Sequence, residues 1–315
     1  MNAVASSVIN GLLSIKPLAS FAKSRARSMM MDRAEGLGVY WRDEVKALQE
    51  MPGWDEALAA IANPNITYPD YYTTSFHAYD EGNLGWLPAM EVDVAARAVH
   101  ARIWPEGDER AGIKGDASLR ESYHQVLKKT LPTAPQSIID LGCSAGRSTV
   151  TLQKTFPAAK LTGVDLSPYF VTMAQHMETR LRADAGLSTP GAAAAVIRWL
   201  HAPAEETGLP ANAADLVSAC LMFHELPLAA AQNIIAEAYR LVAPGGHFAI
   251  MDMNPQCETF TKMPPYILTL LKSTEPYLDQ YFALDMSAAF ERAGFSTPQI
   301  IANSPRHRTI IGKKD

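Results

Sequence analysis

Two acids and two glycines offer the clearest chemistry in this 315-residue chain. In Asp140-Leu141-Gly142-Cys143-Ser144-Ala145-Gly146 a carboxylate stands ahead of a glycine turn, and Asp165 follows further on. Gly142 and Gly146 let the backbone turn tightly and pass close to a ligand. A helix opening at that point presents free N–H groups. The spacing is G-x-x-x-G, with Ser144 where a pyrophosphate loop of the form G-x-G-x-x-G has its second glycine. The turn therefore suits a ligand without phosphate whose carboxylate and amine lie along the backbone, and Asp140 could take the ammonium directly or through water. A carboxylate at Asp165 can accept both hydroxyls of a ribose. The structural alternative is a helix cap, with Asp165 or Ser167 ahead of Pro168. Ser167 can cap while Asp165 binds.

A second group is read as catalytic or acceptor-facing. His224 lies in Leu221-Met222-Phe223-His224-Glu225-Leu226-Pro227, just past an expected strand, and would serve as base if an acceptor must lose a proton. Its structural alternative is a histidine capping the next helix. Asp252 and Asn254 end another expected strand. His77 and Tyr79, with Glu81 and Asn83, belong to an aromatic stretch running from Tyr68 to Trp86. If that stretch folds over the strand ends as a lid, these groups approach the acceptor; otherwise it packs between a helical region and the core. Met263, Tyr266, Leu270 and Tyr281 could wall an apolar pocket, although such stripes more often belong to a core. His307 carries only a structural expectation.

The elements that must position these residues alternate. Strands are expected at 137–141, 161–165, 195–200, 215–221 and 247–253, with helices at 147–156, 168–183 and 228–242 between them. This pattern implies a doubly wound α/β domain with a mostly parallel seven-stranded sheet. Segments 299–303 and 307–312, joined by a turn at Ser304-Pro305, make a hairpin whose last strand runs antiparallel. Helices near 259–273 and 285–293 precede the hairpin, the first in an insertion of about 256–283. Before the sheet, residues 1–132 read as a helical N-terminal or cap region. It has helical stretches at 1–62 (broken at Pro52-Gly53), 88–102 and 117–131, and an aromatic loop over 63–88. The ligand-binding domain is expected at 133–315.

Composition sets limits. The chain is 48% hydrophobic and 19% charged with a formal net charge of −5, so no basic face is implied and a nucleic-acid partner is not expected. Three cysteines, Cys143, Cys220 and Cys257, form no C-x-x-C pair, and no metal site is expected. No run of apolar residues is long enough to span a membrane. Residues 1–31 are basic and rich in Ser and Ala, as organellar transit peptides are. The helical pattern continues through Met29–Met31 to Glu35, which favours a helix of the folded, cytoplasmic protein.

Residues 140–146, Val164-Asp165-Leu166-Ser167, Asp215-Leu216-Val217 and residues 241–248 together resemble the ordered motifs of class I S-adenosylmethionine (SAM)-dependent methyltransferases. The group is similar to the quinone-biosynthesis C-methyltransferases. Residues 76–86 and 276–307 look like those of cyanobacterial and plastid-type methyltransferases. The resemblance covers about 136–313 and implies SAM as cofactor. Gly142, Ser144 and Gly146 would line its methionine part, Asp165 its ribose with Leu166 adjacent, and Leu221 would border the site. Many members carry an acid-alanine pair against the adenine; here the segment reads His201-Ala202-Pro203-Ala204-Glu205. Pro203 stands at the acid's place, so either Glu205 substitutes or backbone or water reads the amino group, with Ala204 contributing its N–H. The expected activity is in-line methyl transfer to a small molecule, with a partly apolar ring or phenol preferred, on O, C or S. The N-terminal helices would shape the pocket or a homodimer contact. The alternatives are a SAM-binding regulatory module without turnover and a protein or RNA methyltransferase.

Overall fold

A computed structural model describes residues 16–75, 79–187 and 196–315. His77 lies outside the described residues. Seven strands form one sheet: β1 (Ser137–Leu141), β2 (Lys160–Asp165), β3 (Arg198–His201), β4 (Ala214–Cys220), β5 (Val242–Met253), β6 (Gln299–Ala302) and β7 (His307–Lys313). Their order is β3-β2-β1-β4-β5-β7-β6. The first five pair in parallel, whereas β7 runs antiparallel to both β5 and β6. The doubly wound, mostly parallel sheet with an antiparallel last strand is the architecture the strand–helix alternation implies.

Alternation along each strand sends apolar side chains to two faces. On one, Leu141, Val217, Phe248 and Ile310 pack with helices Leu228–Leu241 and Met286–Ala293. On the other, Ile138, Leu216, Met251 and Ile311 meet Leu119, Tyr123 and Leu127 of helix Gly115–Thr130. A third cluster joins Trp41, Val45, Trp54, Met90 and Val94 of the N-terminal helices to Ala145, Phe170 and Met173. The N-terminal layer thus rests on the glycine turn and on helix Pro168–Asp184.

The helix expected over 259–273 is instead two, Glu258–Thr261 and Pro265–Thr274. Pro264-Pro265 removes two backbone donors and disfavours the α conformation in the preceding residue, so one helix must stop and another begin. The described residues of the 63–88 stretch are irregular apart from a 3-10 turn at Asp70–Tyr72 and the start of helix Trp86–His100.

Winding reverses between β1 and β4, which are neighbours at the sheet's centre. Ligand crevices of open α/β sheets lie outside the carboxyl ends of the strands at such a point. Asp140, Asp165, Cys220 and Asp252 all stand at those ends.

Candidate active site

The turn after β1 is built on positive backbone angles. Gly142 and Gly146 have φ of 66° and 87°, and Ser144 has φ of 49°. Leu221, following β4, has φ of 58°. A left-handed conformation costs a non-glycine residue about 1–3 kcal/mol and tends to be kept where a site needs it. Both strained residues border the crevice. Gly146 is also sterically committed: a Cβ there would lie 2.7 Å from the Trp199 ring.

Asp165 ties the turn to β2. Its Oδ2 accepts from the Ser144 N–H at 2.8 Å and its Oδ1 from the Ser167 N–H at 2.8 Å. Ser167 is the N-cap of helix Pro168–Asp184, its hydroxyl accepting from the Phe170 N–H and donating to the Asn83 carbonyl. Asp140 is 1% exposed; its Oδ2 accepts from Thr149 Oγ1 at 2.7 Å, whereas its Oδ1 has no partner. The buried Ser144 hydroxyl has none either. Burial pushes both carboxyls up to about 6, against the hydrogen bonds each accepts.

The aromatic stretch lies across these strand ends. Tyr72 places its phenol beside Asp165, and Tyr71 donates to Glu205. His201, ending β3, accepts the Asn63 N–H at Nδ1 (2.9 Å), and its Nε2 lies 3.0 Å from the Leu166 carbonyl and 3.4 Å from the Tyr68 hydroxyl. Three tyrosines of residues 68–72 therefore meet β2, β3 and the segment after β3. The sequence leaves a lid and packing against the core as equal alternatives for this stretch and assigns no role to Tyr71 or Tyr72. Their partners lie far away in the chain, and no local pattern announces such pairs.

Beyond β4, His224 is buried and its Nδ1 lies 2.7 Å from Asp252 Oδ1, while its N–H donates to Asp252 Oδ2 at 3.2 Å. Burial alone would lower the imidazole's affinity for a proton. The Asp252 carboxylate, with Glu275 and Glu225 nearby, overrides it and pushes the group up to about 10. Tyr79, also read as catalytic, donates instead to Glu91 at 2.5 Å, with the Arg27 guanidinium over its ring. Tyr79 therefore faces Glu91 rather than Asp165 or His224. Of the expected apolar wall, Tyr266 is exposed and Tyr281 is buried at 1% exposure; the side chain of Leu270 lies outside those described. Among the described residues, no group of three or more His, Cys, Asp or Glu could hold a metal ion.

Residues 139–250 match the family model described as a methyltransferase domain. An uncharacterized methyltransferase of Synechocystis is 28% identical over 177 residues, 56% of this chain and 74% of that protein. Residues 139–250 thus carry a methyltransferase domain, and the sheet around them has the class I SAM-dependent methyltransferase fold. A demethylmenaquinone methyltransferase of Thermus thermophilus is 29% identical over 126 residues; the match spans 40% of this methyltransferase and half the length of that relative. A crystal structure from Nostoc punctiforme, provisionally described as an O-methyltransferase, superposes with a TM-score of 0.51 at 15% identity. It covers 86% of this chain and 69% of that one, and carries the fold alone.

The cofactor of the methyltransferase is SAM. Three features of this chain fit it. They are two orphaned buried oxygens, on Asp140 and Ser144, a turn with left-handed backbone between them, and a carboxylate at the end of β2.

Proposed function

We propose that this methyltransferase moves the methyl group of SAM to a small-molecule acceptor held at the carboxyl ends of β1, β2, β4 and β5. In this reading Asp140, Gly142, Ser144 and Gly146 hold the methionine part of SAM. Asp165 and Leu166 hold its ribose, Ala204 and Glu205 border the adenine, and Leu221 borders the cofactor site. SAM supplies a methyl group already activated by a positive sulfur. The protein's own work is alignment and the exclusion of water. Tyr71 and Tyr72, across the strand ends, are suited to that exclusion.

His224 holds its proton at neutral pH, because Asp252 stabilises the charged imidazole. Its role would then be that of a hydrogen-bond donor and local cation at the acceptor, not that of a base. Tyr79, bonded to Glu91, anchors the segment leading into helix Trp86–His100. A partly apolar ring or phenol remains the preferred acceptor class, in keeping with the relative that acts on demethylmenaquinone. A small molecule is favoured over nucleic acid by the net charge of −5. No described helix is long and apolar enough to cross a membrane. A cytoplasmic setting and a homodimer contact through the N-terminal helices complete the proposal.

The observation that carries the reading is the Ser144–Asp165 hydrogen bond, which joins the glycine turn to the β2 carboxylate in one crevice. Calorimetric titration of SAM, with NADH as control, tests it. SAM should bind and NADH should not, and Asp165→Ala should weaken SAM binding while the fold survives. Unchanged SAM affinity in that variant removes the ribose role. Labelled SAM incubated with a fractionated small-molecule extract, followed by mass identification of the labelled product, identifies the acceptor.

A further inference from the structure

We propose that the methyl acceptor carries a carboxylate and that Arg308 receives it, an inference that rests on the crevice just described and narrows its acceptor. Arg308, the second residue of β7, lies directly opposite Asp252 of β5, its partner in the antiparallel register. Because β7 runs against the parallel strands, its first residues lie at the same edge as the ends of β4 and β5. Arg308 therefore stands next to the His224–Asp252 couple.

Its environment is unusual for a guanidinium. Arg308 is 6% exposed, and its Nε is buried without a hydrogen-bond partner. Its Nη1 donates to the Gln256 side-chain carbonyl at 3.0 Å. Every Asp and Glu of the sequence lies among the described residues, and none forms an ion pair with Arg308. The natural candidate, Asp252 across the strand pair, is already taken by His224. Arg120, a buried arginine of helix Gly115–Thr130, shows the usual arrangement, with both Asp116 oxygens on its guanidinium.

A guanidinium cannot shed its charge, and burying a charge without a counter-ion is costly. A ligand carboxylate would supply that counter-ion, and its planar pair of oxygens matches the Nε–Nη fork. The Tyr281 hydroxyl is a neutral hydrogen-bond partner of the Arg308 side chain and also donates to the Met253 carbonyl at 2.7 Å. Neutral partners leave the charge without a counter-ion, and the phenol beside it suits a carboxylate mounted on an apolar body, which agrees with the ring-like acceptor class.

Benzoate and its neutral isostere benzamide are the probes, titrated calorimetrically at equal ionic strength into the full chain saturated with S-adenosylhomocysteine. Benzoate should bind at least about tenfold tighter than benzamide, the size of a hydrogen-bonded charge contact. Arg308→Gln should abolish that preference, and Arg308→Lys should keep part of it. Equal binding of the two probes, no binding of benzoate, or an undiminished preference in Arg308→Gln would overturn the proposal. If Arg308→Gln does not fold, the wild-type probe pair and Arg308→Lys decide. The preceding titration with S-adenosylhomocysteine reports separately on the cofactor site. Should that ligand fail to bind, the cofactor reading falls, and the probe pair is run on the free chain with the same criteria.

Discussion

One carboxylate, Asp165, accepts from Ser144 and from Ser167, each at 2.8 Å, and so fixes the glycine turn against the start of the following helix. The same group is 7% exposed. It is a structural tie, and in the proposed reading it is also the acid that meets the ribose hydroxyls. Asp140 shares its electrostatic condition one strand away.

That condition predicts a pH profile for cofactor binding. Burial pushes Asp140 and Asp165 up to about 6 in the free protein. SAM carries an ammonium and a sulfonium, which favour the ionised carboxylates. Its affinity should rise with pH between 5 and 7 and level off above. Calorimetry at four pH values, in buffers of different ionisation enthalpy, should also show protons released on binding. A flat affinity profile would separate these acids from the cofactor. The same shifts act on stability. A carboxyl raised above its unfolded value contributes stability that is full below about pH 4 and lost as pH rises through about 6. Asp140→Asn should consequently stabilise the free protein at pH 7, by about 1–3 kcal/mol, while weakening SAM binding.

Gly146 offers a steric test of the turn. Its φ is 87°, and an added Cβ would meet the Trp199 ring at 2.7 Å and the Ala174 Cβ at 2.9 Å. Gly186 has a similar φ of 74° but open space around the same position. Gly186→Ala should cost about 1–2 kcal/mol from backbone strain alone. Gly146→Ala adds overpacking worth about 1–3 kcal/mol. Denaturant melts of both variants check the difference, and equal losses would mean that the Trp199 contact yields easily.

Much of this was legible in the sequence because it is local. The glycine spacing, Asp165 before Ser167-Pro168, and the strand–helix rhythm each declare themselves within a few residues. The positions of Asp140, Asp165 and His224 at strand ends follow from that rhythm. What could not be read depends on distant partners. Tyr72 reaches Asp165, Tyr71 reaches Glu205 and Arg308 faces Asp252 only once the chain is folded. Arg308 in particular sits in His307-Arg308-Thr309-Ile310-Ile311, where nothing local marks a single charged residue near the start of an apolar strand as buried. Its burial comes from Gln256 and Tyr281, supplied by the insertion that follows β5. The break at Pro264-Pro265 was visible in the sequence, and the continuous helix expected across it underweighted two adjacent prolines.

Tyr72 makes the strap testable. Its phenol lies against Asp165, where ribose hydroxyls would bind, so the two compete for one carboxylate. Tyr72→Phe keeps the ring and removes the competitor. SAM affinity should rise by about threefold to tenfold, the worth of one hydrogen bond. A weaker affinity in Tyr72→Phe would instead make the hydroxyl a direct contact of the cofactor.

The His224–Asp252 couple gives the last prediction. Asp252 is fully buried and held well on the ionised side by the imidazole, against the opposing effect of burial. Removing either partner strands the other charge in the interior, a loss of about 3–5 kcal/mol. His224→Gln and Asp252→Asn should each destabilise the protein by that order, and the double variant should cost less than the sum. The pH dependence has a definite direction. His224 is raised from 6.5 to about 10 in the fold. Its contribution is full below pH 6.5 and lost progressively up to about pH 10. Wild-type stability should therefore fall across that window relative to His224→Gln, as read by denaturant melts at pH 6, 8 and 10. If His224 were a base, turnover would need the imidazole neutral and would climb towards pH 10. If it acts as a charged donor, turnover with the identified acceptor should instead decline as pH approaches 10. A rate still rising above pH 8 would return His224 to the role of base.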